Sequence, residues 1–483
     1  MNGIRLCALV ALILGSLTAA AEDRLAAAGE YMDALLKKAP RDACIAVAVI
    51  DGDRVTREIA GRCKRKSLFQ IGSISKTFTG LLLADAVGRG EVALDEPIAK
   101  RFGSAVPGAI TYRELATHTS GLPRLPDNLV ADDASIMDDP YAAYGEDELR
   151  EFPAAHTPGE KGNAAYSNLG MGLLGFTLGR VAGGSWEAAI AERVTGPMGL
   201  KDTTADPDRR QRRRVLKGHN NMLEETRNWE FDALAGAGAL YSSLDDRVRY
   251  AKVNLRPPES VADAVRVAQN EHAEAPDLGG SIGLGFLQRS VDDRRYFWHG
   301  GVTGGHASFL GFEPATDRAV VVLANVALSE IDAIGAYLGG VIPKLPDLPV
   351  ESADGPYADY VGRFKMTENF VIRVTTNGKA LFLQATAQPR LRLEPLEDGR
   401  FKVAGVEAQV SFGRGGSGSV DWLLLRQGGI TQRAVRQGVT LRKPDVTVPE
   451  AVLARYVGKY RLLPKLTLTV TRDGSQLYAR VKG

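Results

Sequence analysis

A serine and a lysine stand three residues apart at the start of an apolar segment, SISKTFTGLLLADAV, which begins at Ser73. In a helix, positions i and i+3 share a face, so Lys76 would lie beside Ser73. A serine hydroxyl must pass its proton to a base before it attacks a substrate, and burial favours the neutral amine that can act as this base. The helix start also supplies N–H groups for an oxyanion. Taken alone, this spacing more often marks a helix cap followed by a surface lysine.

Two later segments carry side chains that would complete such a site. Tyr166 and Asn168 stand at the head of a second apolar helix, where a phenol can relay a proton and an amide can hold a substrate carbonyl. The stretch WHGGVTGGHASF contains His299, Gly300 and Gly301, and a substrate backbone could add along such a glycine-rich strand. Each segment also has a structural interpretation, Tyr166 as core packing and the glycines as a β-bulge.

The surrounding elements predict an α/β region whose sheet is split along the chain. A hairpin turns near Asp51–Asp53, and the helix that carries Lys76 runs to about Gly88. Short helices broken by Gly, Pro and Asp clusters follow as far as Glu271. Three strands, RRYFWHGG, HASFLGFEP and RAVVVLANV, then precede a closing helix, SEIDAIGAYLGGVI. A helical region inserted between two parts of an antiparallel sheet accounts for this order.

Beyond a Pro-rich linker, PKLPDLPVESADGP, the composition changes to alternating strand patterns. We expect an antiparallel β domain, barrel or sandwich, over residues 346–445. YVGRF at Tyr360 recurs as YVGKY at Tyr456, and NGKALF recurs as DGSQLY at the same spacing of 96 residues. The common spacing indicates duplication of one β unit, with a partial second copy over 446–483. That copy either stops short or completes the first barrel.

The first 21 residues predict a secretory signal peptide, with a positive Arg5, an apolar run and an A-x-A-like site. The apolar run is shorter than the roughly 20 residues of a membrane-spanning helix. We therefore expect export, with the periplasm as the destination, no membrane span after cleavage, and a first mature domain over residues 22–345. Cys44 and Cys63 flank the hairpin and are either bonded in that oxidising compartment or two separate buried thiols.

The charge balance gives little reason to expect a nucleic-acid partner, because the formal net charge is +2. The local exception is the run RRQRRR, residues 209–214. It indicates either a solvated face or a patch that attracts an anionic substrate. No His and Cys spacing suggests a metal site.

In this order, the segments resemble the penicillin-recognising serine hydrolases, specifically the class C β-lactamase branch. That branch includes D-alanyl-D-alanine carboxypeptidases, D-aminopeptidases and esterases. The resemblance covers roughly residues 43–342 and extends to ITYRELATHTSGLP, VTGPMGLKDTT and GAGALYSSLDD. It implies a serine β-lactamase/DD-peptidase-like fold, with an antiparallel sheet flanked by helices, and a serine hydrolase that needs no cofactor. The implied substrate is a small molecule or peptide: a D-amino-acid peptide, an ester or a β-lactam.

The resemblance also implies a role for each candidate residue. Ser73 would be the acyl-accepting nucleophile, and Lys76 and Tyr166 would share the general base and acid roles. Asn168 would orient the substrate amide. The backbone N–H groups of Ser73 and Val302 would form the oxyanion hole, and the glycine-rich strand would dock the substrate.

The third motif departs from the family, which has Lys-Thr-Gly where this chain has His299, Gly300 and Gly301. A fixed cation becomes an imidazole, and the hydroxyl that would contact a substrate carboxylate is lost, although Thr303 stands nearby. The imidazole is either cationic and holds a carboxylate, or neutral and acts as a hydrogen-bond partner. Both changes argue against efficient β-lactam turnover.

Two other histidines belong to the resembling segments. His118 lies in HTSGLP and is expected to hold a loop near the site. His306 follows the glycines and either lines the site or packs within a strand.

A His-x-Gly third motif and a C-terminal barrel resemble D-aminopeptidases, in which a barrel loop reaches the site. We therefore expect hydrolysis of D-amino-acid peptides through an acyl-serine intermediate. The alternatives are a weak β-lactamase, a lipase-like esterase, and a non-catalytic penicillin-binding sensor or adaptor.

Overall fold

The computed structural model describes residues 22–482, except 104–108, 130–138, 156–158, 349–354, 368–369, 387, 389, 416–417, 428–429, 440–448, 464–465 and 474–475. The predicted signal peptide, residues 1–21, lies outside the described residues. In this described part of the chain, no helix is both long and apolar enough to cross a bilayer.

The strands of the N-terminal domain are β1 (Cys44–Asp51), β2 (Arg54–Gly61), β3 (Phe69–Gln70), β4 (Gly218–His219), β5 (Glu225–Thr226), β6 (Tyr241–Ser242), β7 (Ala273–Ala275), β8 (Gly280–Ile282), β9 (Leu287–Val291), β10 (Arg294–Val302), β11 (Ala307–Glu313) and β12 (Arg318–Ala324). Eight of them form one antiparallel sheet in the order β2-β1-β12-β11-β10-β9-β8-β7. β1 pairs with β12, Val47 opposite Val322, so the sheet joins the two ends of the domain. The predicted split sheet is confirmed.

The described helices of this domain are α1 (22–36), α2 (Ser75–Gly88), α3 (Ala99–Phe102), α4 (Tyr112–Ala116), α5 (Glu146–Ala155), α6 (Asn168–Val181), α7 (Trp186–Ile190), α8 (Arg209–Arg212), α9 (Leu244–Leu255), α10 (Glu259–Gln269) and α11 (Glu330–Leu338). Most of them lie between β2 and β7 in the chain, as the predicted insertion requires. α2 packs against α6 and α10 and is buried along most of its length. This burial explains why the helix has apolar residues on all of its faces.

Helices cover both faces of the sheet. Along β1, Ile45 and Val47 pack into one core with α1 and α11, while Ala46 and Ala48 pack into the other core, which includes α2 and α9. Alternate residues of a strand point to opposite faces, so a strand covered on both sides is apolar throughout. The sheet is therefore the rigid layer against which the helices are placed.

A disulfide joins Cys44 to Cys63, with 5.8 Å between their Cα atoms. Cys44 begins β1, and its partner across the hairpin is Gly61, two residues before Cys63. Of the two alternatives left open by the sequence, the structure has the bonded pair.

The C-terminal domain contains a closed barrel of eight antiparallel strands, as expected. The strands are β13 (Gly362–Lys365), β14 (Val371–Thr376), β15 (Leu381–Ala385), β16 (Arg390–Pro395), β17 (Phe401–Val403), β18 (Ala408–Arg414), β19 (Val420–Gln427) and β20 (Ile430–Arg436). Pairing of β13 with β20, Phe364 opposite Arg436, closes the barrel. Its core of aliphatic and aromatic side chains is separate from the two cores of the N-terminal domain.

The repeated sequence forms a repeated structure. After a short helix α12 (Glu450–Leu453), the strands β21 (Gly458–Leu463), β22 (Leu466–Asp473) and β23 (Gln476–Lys482) make a three-stranded antiparallel sheet. Each copy begins with a 3₁₀ turn, Ala358–Tyr360 and Ala454–Tyr456 respectively. The first barrel closes with eight strands of its own, so the structure excludes the alternative in which the second copy completes it.

The barrel contacts the N-terminal domain at the hairpin of β4 and β5. Asn221 is buried, and its Nδ2 donates to the carbonyl oxygens of Ala385 (2.7 Å) and Gln388 (3.1 Å). Arg363 forms an ion pair with Glu224 at 2.6 Å. The linker begins on the N-terminal side, where residues 345 and 348, both leucines, pack against the core of α1 and α11.

Candidate active site

Ser73 lies in a 3₁₀ turn, Gly72–Ile74, immediately before α2. The Nζ atom of Lys76 is 3.0 Å from Ser73 Oγ and 2.7 Å from the carbonyl oxygen of Ala237. Burial, and then the charge of Arg124, lower the pKa of Lys76 well below its usual value. A neutral amine can donate one N–H to the Ala237 carbonyl and accept the Ser73 hydroxyl proton, which is the arrangement that a general base requires.

Tyr166 stands beside the same two groups. The Ser73 hydroxyl is close enough to its phenol to lower the pKa of that phenol, and Lys76 Nζ lies 4.9 Å from the centre of its ring. Burial in the site outweighs Ser73 and Arg124 and raises the pKa of the phenol far above the neutral range. Tyr166 is therefore a protonated phenol, and Lys76, whose pKa is lowered, is the better proton acceptor of the pair.

His118 holds the segment that carries Tyr166. Its Nδ1 accepts a hydrogen bond from the backbone N–H of Ser167 at 3.2 Å, and its ring centre is 4.6 Å from that of Tyr166. Burial lowers the pKa of His118 well below its usual value, so it is neutral, as an acceptor Nδ1 requires. This position fits the loop-holding role expected from the sequence.

Asn168 begins α6, whose N-cap is Ser167 with its Oγ accepting from the N–H of Gly170 at 2.8 Å. The cap fixes where the helix starts and so where the amide stands. Asn168 Nδ2 donates to the Tyr141 hydroxyl at 3.0 Å, whereas Oδ1 is buried without a partner among the described residues. The free carbonyl oxygen can accept an N–H from a substrate amide.

The end of β10 packs against the turn that carries Ser73, Gly72–Ile74. A Cβ at Gly301 would overlap the carbonyl oxygen of Ile71, and one at Gly72, where φ is +48°, would lie 2.8 Å from the Val302 nitrogen. Ser308 fixes this approach by donating from Oγ to the same Ile71 oxygen at 2.8 Å. Only glycines permit this contact, which brings the backbone of Ser73 and that of Val302 to one place.

His299 is buried, and its Nδ1 lies 2.6 Å from the Gly300 carbonyl oxygen, to which it donates. Burial, and then the charge of Lys76, lower the pKa of His299 to about 3. The imidazole is therefore neutral at physiological pH, the second of the two alternatives. Its Nε2 is then an acceptor, and it has no hydrogen-bond partner in the described part of the chain.

Thr303 and His306 are the remaining residues of this segment, and only one of them lines the cleft. Thr303 lines the cleft, and its Oγ1 is buried without a partner within the described residues. His306 does not line the cleft; it is buried, and its Nε2 lies 3.0 Å from Asn228 Oδ1. His306 is therefore the packed strand residue of the two interpretations.

The arginine run forms the short helix α8 and is ion-paired locally, Arg212 with Asp206 and Arg214 with Asp202, at 2.9 and 2.5 Å. It does not line the cleft. The structure thus favours the solvated face over a patch at the substrate site.

The cleft brings together every residue predicted for the site except Lys76, which lies beneath Ser73, and it adds several that the sequence reasoning missed. The added residues include Arg124, Tyr141, Trp229, Phe231, Asp277, Arg289, Trp298 and Asp332. Arg124 directly follows HTSGLP and Trp298 directly precedes His299, which were usable signals; the others come from segments without a motif. All of the described lining residues belong to the N-terminal domain.

The fold and this site define a class of protein. Residues 32–339 match the family model described as Beta-lactamase, and the chain belongs to the β-lactamase family. The structure of a class C β-lactamase from Rhodobacter sphaeroides superposes with a TM-score of 0.56 at 23% identity, covering 66% of this chain and 99% of that one. The fold is therefore the class C β-lactamase fold with an added C-terminal barrel.

Curated relatives agree with this family and differ in their activities. A β-lactamase of Escherichia coli is 27% identical over 54% of this chain and 76% of its own length. The D-alanyl-D-alanine-carboxypeptidase/endopeptidase AmpH of the same species is 26% identical over 62% and 84%. Penicillin-binding protein 4* of Bacillus subtilis is 24% identical over 77% and 88%. These relatives are serine hydrolases, and so is this protein.

Proposed function

We propose that this protein is an exported serine hydrolase that cleaves amide or ester bonds through an acyl-serine intermediate, with D-amino-acid-containing peptides as its favoured substrates. The observation that carries the proposal is the position of Ser73 Oγ, which lies 3.0 Å from the Nζ of Lys76, whose pKa is lowered, and beside the protonated phenol of Tyr166. The relatives named as a carboxypeptidase and as penicillin-binding proteins support the peptide substrate. The Cys44–Cys63 disulfide supports export, because such bonds persist in oxidising compartments.

In the proposed mechanism, Lys76 takes the proton of Ser73 as Oγ attacks the substrate carbonyl. The N–H groups of Ser73 and Val302 stabilise the negative oxygen of the tetrahedral intermediate. Tyr166 then gives its phenol proton to the leaving amine or alkoxide and recovers one from the Lys76 ammonium. A water molecule then attacks the acyl-serine carbonyl, with the proton transfers in reverse order, and the carboxylic acid product is released. Asn168 Oδ1 holds the substrate amide during both halves.

The neutral state of His299 supports an aminopeptidase-like preference over a β-lactamase. A β-lactam or a peptide with a free C-terminus presents a carboxylate, and an imidazole with a pKa of about 3 offers it no charge. A substrate without a carboxylate at this position makes no ion pair there, so the replacement of the family's lysine by a neutral His299 does not weaken its binding.

An esterase is the second candidate function. Tyr141 and Phe231 stack with ring centres 4.7 Å apart in the cleft wall, and Trp229 lies edge-on to Tyr141 at 5.4 Å. Such an aromatic wall suits an apolar acyl chain. The relative Esterase EstB of Burkholderia gladioli, 26% identical over 54% of this chain and 80% of its own, agrees with this alternative.

The test is a parallel assay of D-alanine nitroanilide, L-alanine nitroanilide, a short-chain nitrophenyl ester and a chromogenic cephalosporin. We expect the D-anilide to be hydrolysed with a higher kcat/KM than the L-anilide and the cephalosporin, and all turnover to be lost in Ser73→Ala. Turnover of the ester alone would replace the peptidase by the esterase. Covalent labelling by a penicillin without turnover of any substrate would indicate the sensor or adaptor.

A further inference from the structure

A carboxylate occupies the space that a side chain at Gly300 would need. A Cβ built on Gly300 would lie 2.6 and 2.8 Å from the two carboxylate oxygens of Asp332. Asp332 is in the first turn of α11, which packs on β11 and β12 beside β10. Both residues line the cleft, and the Asp332 side chain is open to it. The strand that would dock a substrate therefore has a carboxylate at its side.

Nothing in the described part of the chain neutralises this carboxylate. Asp332 forms no ion pair or side-chain hydrogen bond there. The cleft arginines stand over aromatic rings, Arg124 5.0 Å from the centre of Tyr166 and Arg289 5.0 Å from Trp298. Protein surrounds Asp332 on the sides away from the cleft, and this partial burial raises its pKa to about 7 with no opposing effect from a cation.

A second acceptor lines the same cleft, from the preceding residue of β10. His299 is neutral, its Nδ1 donates to Gly300, and its Nε2 is an acceptor without a partner among the described residues. An uncompensated carboxylate and a bare imidazole nitrogen both require donors, and a protonated amine supplies several donors and a positive charge. A substrate carboxylate would meet acceptors and like charge, which costs binding energy.

We propose that Asp332 sets the substrate class of this enzyme by pairing with a protonated amino group of the substrate and by excluding a carboxylate from the same place. This rests on the proposed function, in which Ser73 attacks a carbonyl held in the same cleft. The role of Asp332 specifies, in addition, that the accepted substrate is positively charged. The amine can be on the acyl side or on the leaving-group side of the scissile bond. Asp332 acts by binding and takes no part in proton transfer.

Two trios of matched esters test the proposal, and none of them has a stereocentre. In the first trio the charge is on the acyl group: nitrophenyl esters of butyric acid (neutral), β-alanine (cationic) and succinic acid (anionic). In the second trio it is on the leaving group: S-butyryl thioesters of 3-methylbutanethiol (neutral), protonated 2-(dimethylamino)ethanethiol (cationic) and 3-mercaptopropionate (anionic). The trio that responds shows which side of the bond meets Asp332.

In at least one trio, Asp332→Asn is expected to lower kcat/KM for the cationic ester relative to the neutral one by about tenfold or more, since contacts to charged groups are the strong ones. The same substitution should raise the anionic ester relative to the neutral one. Asp332→Glu keeps the charge and should retain the cationic preference. Asp263→Asn removes a carboxylate from the exposed face of α10 and should change neither ratio. Unchanged ratios in both trios for Asp332→Asn would overturn the proposal.

A different measurement shows whether the proposed function itself fails. If the wild type hydrolyses neither neutral ester, the acyl-serine function fails, whereas a working esterase without D-preference leaves the role of Asp332 intact. In the first case, calorimetric titration of wild-type and Asp332→Asn protein with the corresponding anilides and leaving-group amides still measures the charge preference. Equal affinity of the two proteins for the cationic ligands would then overturn the role of Asp332.

Discussion

At the scale of single residues, burial acts on the pKa values of two neighbouring groups in opposite directions. It lowers the pKa of Lys76, which favours the amine that can accept a proton, and it raises the pKa of Tyr166, which keeps the phenol protonated. The same physical cause makes His299 neutral. The sequence could indicate which residues meet, but only the degree of burial determined which of them is the base.

Lys76→Met keeps most of the side-chain volume and removes the base. We expect kcat/KM for a neutral ester to fall by about 10²- to 10⁴-fold, the usual contribution of general base catalysis, while the protein still folds. In the wild type, activity should be lost as the pH falls through the depressed pKa of Lys76, because the ammonium cannot accept the Ser73 proton. Steady-state kinetics across pH, with circular dichroism of the variant, measure both effects. Activity within threefold of the wild type would mean that another group is the base.

His299 should contribute no ionisation between pH 5 and 8, because burial lowers its pKa to about 3. The pH profile for a neutral ester, which also avoids the charge of Asp332, should therefore have the same shape in the wild type and in His299→Gln. The activity of the variant should be lower only to the extent that the hydrogen bond to Gly300 is lost. A limb near pH 6.5 that is present in the wild type and absent in His299→Gln would show that the imidazole titrates in the site.

At the scale of elements, the site is a meeting of three segment ends: the turn before α2, the start of α6 and the end of β10. The sequence located all three, since a helix start and a glycine-rich strand end each have a local signature. Their mutual distance depends on the contact of β10 with the turn at Gly72–Ile74, which is a tertiary contact.

Gly301→Ala tests that contact. Its Cβ would overlap the Ile71 carbonyl oxygen, so either β10 or the Ser73 turn must shift. A displacement of about 1 Å can cost on the order of 10²-fold in rate, and we expect at least that loss in kcat/KM together with a lower melting temperature. Gly184→Ala is the matched control, because its Cβ would meet no atom within 4 Å. Equal activity of the two variants would show that the approach of β10 is not needed to place Ser73.

At the scale of the whole molecule, the barrel makes polar contacts with the N-terminal domain, and all of the described residues that line the cleft belong to that domain. The contacts of Asn221 and Glu224 with the barrel lie on the hairpin of β4 and β5, and no barrel residue of the described part lines the cleft. We therefore expect the hydrolase domain to bind its substrate without the barrel.

A chain that ends at residue 348 should fold and hydrolyse a neutral ester with a kcat/KM within about twofold of the full chain, since its cleft is complete. A chain that ends at residue 343 also loses Leu345 and Leu348, which pack on the core of α1 and α11. Their partial burial contributes roughly 1–3 kcal/mol, so this shorter chain should melt several degrees lower. Calorimetry and ester kinetics on both chains check the prediction. Loss of activity in the chain ending at 348 would show that the barrel takes part in forming the site.

The sequence by itself determined the family, the order of the elements, the β-rich C-terminal region with its repeat, and the side chains that meet around Ser73. It could do so because periodicity and short motifs indicate these features, and both depend only on residues that are close together in the chain. The pairing of Cys44 with Cys63 needed the register of β1 and β2, which the sequence leaves open.

The neutral imidazole of His299 and the place of Asp332 were decided only by the tertiary structure. Burial is a sum over every element packed around a group, so no local pattern contains it. Asp332 belongs to a helix without a motif, and it reaches the cleft because α11 packs back across β11 and β12 until its first turn stands beside Gly300. The residues proposed to perform the chemistry could thus be identified in the sequence, whereas the carboxylate proposed to select the substrate reaches the cleft only in the assembled sheet and helices.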